Sequence, residues 1–164
     1  LDGWSKTYAM TGWRIGYGIW PKSLAPLAIR LAINCHSCVN AAAQWAAIAA
    51  LEGPQDAVEQ MVAEFARRRE FIVRELNSLR GFRCVRPGGA FYAFANIQGT
   101  GLTAAQLQDA LLEEAGVAVI AGTSFGIYGE GYLRFSYAAP IEAIAEAMRR
   151  LRRFLDMHLP AGRS

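Results

Sequence analysis

Two cations eight positions apart, Lys6 and Arg14, stand near the start of the chain in the run Ser5-Lys6-Thr7-Tyr8-Ala9-Met10-Thr11-Gly12-Trp13-Arg14-Ile15-Gly16-Tyr17. Small, hydroxylic and aromatic residues surround the lysine with no helical period, and Gly12 and Gly16 argue against a helix through the segment. Apolar neighbours strip hydration from an ammonium group and favour the neutral, nucleophilic amine. A lysine amine condenses with an aldehyde, and an arginine fork suits a phosphate group. The pair therefore fits an aldehyde that carries a phosphate.

A second arginine calls for explanation. Gly131-Tyr132-Leu133-Arg134-Phe135-Ser136-Tyr137-Ala138 alternates Tyr132, Arg134 and Ser136 with Leu133, Phe135 and Tyr137, which predicts a strand with one polar and one apolar face. An arginine in the middle of such a strand is costly unless paired, either with a structural carboxylate or with a ligand's.

Ser5 to Tyr17 resembles the cofactor-lysine motif of the class I/II aminotransferases, Ser-Lys-x-x-x-x-x-Gly-x-Arg-x-Gly. The resemblance implies pyridoxal 5'-phosphate as cofactor, with Lys6 as the Schiff-base lysine and general base. Arg14 and Ser5 would then hold the cofactor phosphate. Residues 131–138 are similar to the family's Gly-Tyr-x-Arg-x-Ser/Ala-Tyr/Phe strand, which implies that Arg134 grips the α-carboxylate of the substrate. Arg86-Pro87-Gly88-Gly89-Ala90-Phe91-Tyr92-Ala93-Phe94 resembles the family's Pro-x-Gly-Ala-Phe/Tyr-Tyr turn and strand. Val119 to Gly126 resembles a Pro-Gly-x-x-Phe-Gly segment, with Ala121 where proline is commoner. Cys38 to Gln44 resembles a dimer-contacting segment, in which a polar side chain near Asn40 would reach the partner subunit's cofactor.

The likeness covers about residues 3 to 155 and implies an α/β fold: the C-terminal part of a fold type I, aspartate-aminotransferase-like transferase. Residues 1–60 would be the end of the large cofactor-binding domain, and 61–164 the small domain, entered through a long linking helix. The implied activity is ping-pong transfer of an amino group between an L-amino acid and a 2-oxo acid, in a cytoplasmic homodimer. The family's chains are much longer than 164 residues, and their remaining cofactor contacts lie upstream of the lysine. The chain therefore reads as a fragment lacking the N-terminal half and inactive by itself. Two alternatives keep the lysine chemistry. One is a carbon–sulfur lyase, and the other is an aminotransferase-like sensing domain of a transcriptional regulator.

Composition agrees. Apolar residues make up 53% of the chain, ample for a core, and the net charge is only +3. Arg67-Arg68-Arg69, Arg149-Arg150 and Arg152-Arg153 fall on helical runs beside Glu64, Glu70, Glu75, Glu142 and Glu146, as on the wet face of amphipathic helices, so no nucleic-acid face is read. No apolar run reaches the roughly eighteen residues of a membrane span. Cys35, Cys38 and Cys84 are an odd count without a second zinc knuckle, so no metal is expected and reduced thiols are.

The elements that must position these residues follow from pattern. Residues 14–20 read as a strand leaving the lysine loop, and helices are expected from Pro26 to about Ala32 and from Asn40 to Glu52. A long helix should run from Asp56 to about Leu79, ended by Arg80-Gly81. Strands at 82–85, 90–96, 117–120 and 131–138 should alternate with helices at 103–115 and from Pro140 to about Met157, an α/β pattern. The tail Pro160 to Ser164 is expected to fray.

Overall fold

The computed structural model describes residues 1–159. The expectation for Pro160 to Ser164 lies outside them. The chain divides into two compact units, Leu1–Met61 and Val62–Ser164.

In the first unit, strand β1 (Asp2–Gly3) leads into helix α1 (Trp4–Thr7), a single turn, and then a 3-10 turn at Thr11–Trp13 and strand β2 (Gly16–Tyr17). Helices α2 (Ala25–His36) and α3 (Ala41–Glu52) follow. β1 and β2 pair antiparallel, Asp2 with Tyr17 and Gly3 with Gly16, and so clamp the ends of the lysine loop. Glycine is required in this clamp: a Cβ on Gly16 would lie 2.9 Å from the Asp2 carbonyl oxygen. The strand expected over 14–20 is thus only two residues long, because its partner offers two. Ser5 and Lys6 are helical after all, held in one turn. The small core joins Trp4, Ile15, Ala43 and Ala47. α3 starts on Asn40, whose side chain accepts from the Ala43 amide at 3.0 Å, as an N-cap should. α2 starts with Pro26 in its first turn but buries nothing: Leu27, Ile29, Leu31 and Ile33 are each more than half exposed.

Helix α4 (Asp56–Asn77) contains the boundary between the units. The second unit then runs β3 (Arg83–Cys84), β4 (Tyr92–Asn96), α5 (Ala104–Ala115), β5 (Ile120–Ala121), β6 (Tyr132–Ser136) and α6 (Ile141–His158). The sheet order is β3-β4-β6-β5 with every pairing antiparallel. One face is closed by helices. Ala93, Ala95, Leu133 and Phe135 from the sheet share a core with Ile72 and Leu76 of α4, Leu107 and Leu111 of α5, and Ile144, Met148 and Leu151 of α6. Tyr132, Arg134 and Ser136 alternate onto the other face, as the sequence pattern requires.

Local chemistry explains the element ends. Thr103 and Gln106 form a capping box that starts α5. Gly116, in the left-handed region at φ 63°, ends it. The Val117 amide donates to the Leu111 carbonyl, so residues expected in a strand at 117–120 instead close the helix, and the pairing begins only at Ile120. Two of the three arginines at 67–69 are less wet than expected. Arg68 donates to Ala138 O at 2.9 Å and Arg69 to Pro87 O at 3.3 Å, and both are half-buried. Among the described residues no helix is long and apolar enough to cross a membrane.

Candidate active site

The lysine loop is organised around Trp4. Its ring is buried, its Nε1–H donates to the Ala47 carbonyl of α3 at 3.1 Å, and it meets Tyr17 edge-on at 5.1 Å. Its carbonyl accepts from the amides of Tyr8 and Met10. Trp4 thus fixes the start of the loop through its indole and the return through its carbonyl, and Ser5 and Lys6 are carried on the turn it anchors. Lys6 is exposed, so the apolar burial expected around it is not supplied by its neighbours in this chain. Ser5 is half-buried beside it.

Arg14 sits at the far end of the same loop in the left-handed region, φ 52° and ψ 48°, and Ala9 is also there, at φ 53°. Left-handed backbone costs a non-glycine residue about 1 kcal/mol. Two such residues within one short loop mark a conformation imposed by the surrounding structure, of the kind that gathers at functional sites. One guanidinium N–H of Arg14 donates to the Thr11 carbonyl at 3.0 Å, and the remaining donors have no ion-pair partner among the described residues. An amine, a hydroxyl and an under-used guanidinium on one loop are a donor set that fits an aldehyde bearing a phosphate. The chain contains one other lysine, Lys22.

Arg134 belongs to the second unit. It stands on β6, a strand paired on both sides, opposite Phe94 of β4 and Ile120 of β5. Its guanidinium carbon lies 4.3 Å from the ring centroids of both Tyr92 and Phe125. Among the described residues no carboxylate pairs with it, so the structural salt bridge that an arginine in this position could have made is not formed. Phe94 continues the aromatic layer, stacked on Tyr132 at 5.3 Å and edge-on to Phe125 at 6.3 Å. A cleft of about 320 Å³, lined by Arg83, Val85, Phe94, Asn96, Gln98 and Tyr132, lies over this face.

Phe125 ends a 3-10 turn (Gly122–Phe125) that is held against a second one (Ile127–Gly129) by a very close backbone approach. A Cβ on Gly129 would lie 1.9 Å from the Gly122 carbonyl oxygen. Tyr92 and Phe125 are the site residues that sequence reasoning missed. Tyr92 belongs to a segment whose resemblance names only a turn and a strand, and Phe125 to one whose resemblance assigns no residue a role.

The structure thus brings Ser5, Lys6 and Arg14 together on one loop of the first unit and places Arg134 in an aromatic setting in the second. The chain resembles known proteins over most of its length. The family described as aminotransferase class I and II matches residues 1–151. The chain is 41% identical over 157 residues to an aspartate aminotransferase of Pyrococcus horikoshii, covering 94% of this chain and 40% of that protein. It is 43% identical over 148 residues to an LL-diaminopimelate aminotransferase of Desulforudis audaxviator, covering 90% and 37%. Among solved structures, an aromatic aminotransferase from Pyrococcus horikoshii superposes with a TM-score of 0.91 at 41% identity, over 94% of this chain and 42% of that one. The α/β fold is therefore that of the aspartate-aminotransferase-like, fold type I structures. The chain spans about two fifths of the length of the relatives it matches.

Proposed function

Because the chain belongs to the class I and II aminotransferases, whose cofactor is pyridoxal phosphate, we propose that it carries the lysine loop and the carboxylate-binding strand of an aminotransferase. The parent enzyme moves an amino group between an L-amino acid and a 2-oxo acid in two half-reactions. The observation that supports this reading is the loop clamped by β1 and β2 and pinned by Trp4, which carries Ser5, Lys6 and Arg14 on one short segment.

Bound there, the pyridoxal group supplies a sink for the electron pair left at the substrate's α-carbon. Lys6 would hold the aldehyde group through its Nζ, and as a free amine would be the base for the α-proton. Arg14 and the Ser5 hydroxyl donate to the phosphate, and the strained backbone at Arg14 keeps that anchor in place. Arg134 receives the α-carboxylate through two parallel N–H donors. Two donors rather than one fix the rotation of the substrate and hence the direction of the bond to be broken. In this reading residues 1–60 end the large domain and 61–164 form the small one. The exposed apolar residues of α2, Leu27 and Leu31 on one side and Ile29 and Ile33 on the other, are covered by the remainder of a homodimeric, cytoplasmic enzyme, since a helix apolar all round is ordinarily buried.

The test is covalent mapping. Full-length protein is mixed with pyridoxal phosphate, reduced with borohydride and digested. The pyridoxyl mass should appear on the peptide of Lys6 and vanish in Lys6→Ala. A label that resides on Lys22, or survives in the variant, would sink the assignment. Adding amino acids one at a time before reduction should abolish labelling of Lys6 for the true donors.

A further inference from the structure

On the open face of the sheet the guanidinium of Arg134 is half-buried among rings, with no carboxylate paired to it among the described residues. We propose that Tyr92 and Phe125 are positioning residues for Arg134, gripping the faces of its guanidinium so that its N–H edge stands ready for the substrate carboxylate. The inference rests on the reading of Arg134 as the carboxylate site.

The chemistry of the group makes the two contacts compatible. An aromatic ring attracts a guanidinium through the flat face of the cation. The N–H donors lie in the plane of the cation and point outward from its edge. Stacking therefore restrains Arg134 without using a donor that a carboxylate needs, whereas an aspartate or glutamate at the same place would compete for those donors. Arginine loses considerable rotamer freedom when it binds, and a side chain held beforehand loses less. Both rings have supports of their own. Tyr92 is on β4, paired through Ser136 with the same strand that carries Arg134, and it contacts Phe91 at 4.4 Å. Phe125 is held by the Gly122–Gly129 approach and by the edge of Phe94. Phe125 is itself 52% exposed, so burial of its ring within this chain does not account for its place.

The experiment uses the full-length, cofactor-loaded enzyme and two carboxylates that have no amino group, succinate and 3-phenylpropanoate, with binding read by calorimetry. Tyr92→Leu and Phe125→Leu should each weaken both ligands about tenfold, which is about 1.4 kcal/mol. They should raise KM for the amino donor by a similar factor while kcat changes less than about twofold. Tyr92→Phe and Phe125→Tyr, which keep a ring, should recover the affinity. In an Arg134→Ala background neither leucine substitution should weaken binding further. If Arg134→Ala weakens binding and the leucine variants do not, the gripping role is overturned and the carboxylate site stands. If the leucine substitutions act equally with and without Arg134, the rings touch the ligand directly and the proposal is again overturned. If Arg134→Ala itself leaves both ligands unaffected, the underlying reading of Arg134 falls with it. A melting curve for each variant separates these results from lost folding, and the ring-retaining pair carries the test should a leucine variant not fold.

Discussion

Replacing Gly129 by alanine tests the close backbone approach that holds Phe125. The added methyl carbon would lie 1.9 Å from the Gly122 oxygen and 2.2 Å from its carbonyl carbon. To bring the shorter contact out to an ordinary 3.4 Å, the two turns must part by about 1.5 Å. No flexible side-chain end is available to yield, because both partners are backbone. Gly129 does not have a positive φ, so alanine accepts its conformation and the cost is steric alone. Overpacking costs about 1–3 kcal/mol, and a clash of backbone on backbone belongs at the upper end of that range. Stiffening of the unfolded chain returns roughly 0.4–1 kcal/mol. The net expectation is a loss of about 2 kcal/mol, or about 1 M in the urea midpoint for a slope near 2 kcal/mol per molar. Far-UV circular dichroism is the right probe, since all four tryptophans lie in the first unit and fluorescence would report elsewhere. Gly101→Ala is the control. It has φ +75° and open space around it, so it should cost only the left-handed penalty of about 1 kcal/mol less the same return from stiffening. A Gly129→Ala midpoint no lower than that of Gly101→Ala would refute the steric argument.

Other substitutions probe the remaining supports. Leu133→Ala empties a fully buried position on the central strand and should cost about 2–5 kcal/mol in the same unfolding assay. Thr103→Ala removes the cap of α5 and should cost about 1 kcal/mol, with a Ser replacement recovering most of it. Arg67 and Arg68 hold Glu64 at about 2, and Arg149 and Arg150 hold Glu146 at about 2, against an ordinary 4.5. A folded value below the unfolded one makes their contribution complete above about pH 4.5 and lost as the pH falls toward 2. Both are open to solvent on one side, so the effect is modest and screened by salt. A Glu64→Gln, Glu146→Gln double variant should show a shallower loss of stability across that window at low salt, and an unchanged slope would refute the ion-pair account. Burial pushes the Cys84 thiol up, so a disulfide reagent should reach it only on the timescale of unfolding, and rapid labelling in native protein would contradict its place in the core.

The second unit was legible wherever a two-residue period or a cap residue spoke for itself. Leu133, Phe135 and Tyr137 turned inward and Tyr132, Arg134 and Ser136 outward because alternation on a strand has one geometric meaning. Strand ends were not legible. Val117 looks like strand material, yet its amide is spent closing α5 behind Gly116. The helical turn bearing Lys6 was missed for a different reason. Its local sequence has no helical period, and what anchors it is a hydrogen bond from the Trp4 indole to Ala47, forty-three positions away. The setting of α2 was also beyond local pattern. Its apolar residues predict burial, and within this chain it buries none of them.

The two candidate anchoring arginines show why one kind of reasoning could find both and yet explain only part of each. Arg14 is held by backbone strain and a short-range bond to Thr11, features that reside within the loop itself. Arg134 owes its rigidity to pairing on both sides of β6 and to two rings that arrive from separate segments. A residue type at a motif position announces a charge, and that much is written in order along the chain. The setting that makes the charge useful is assembled from distant pieces: the register of β4 on β6 brings Tyr92, and the contact of two glycines brings Phe125. If Arg134 binds the carboxylate as proposed, it does so with the help of positions such as Gly122 and Gly129 that carry no chemistry at all, and substitutions there should damage carboxylate binding as surely as loss of a ring.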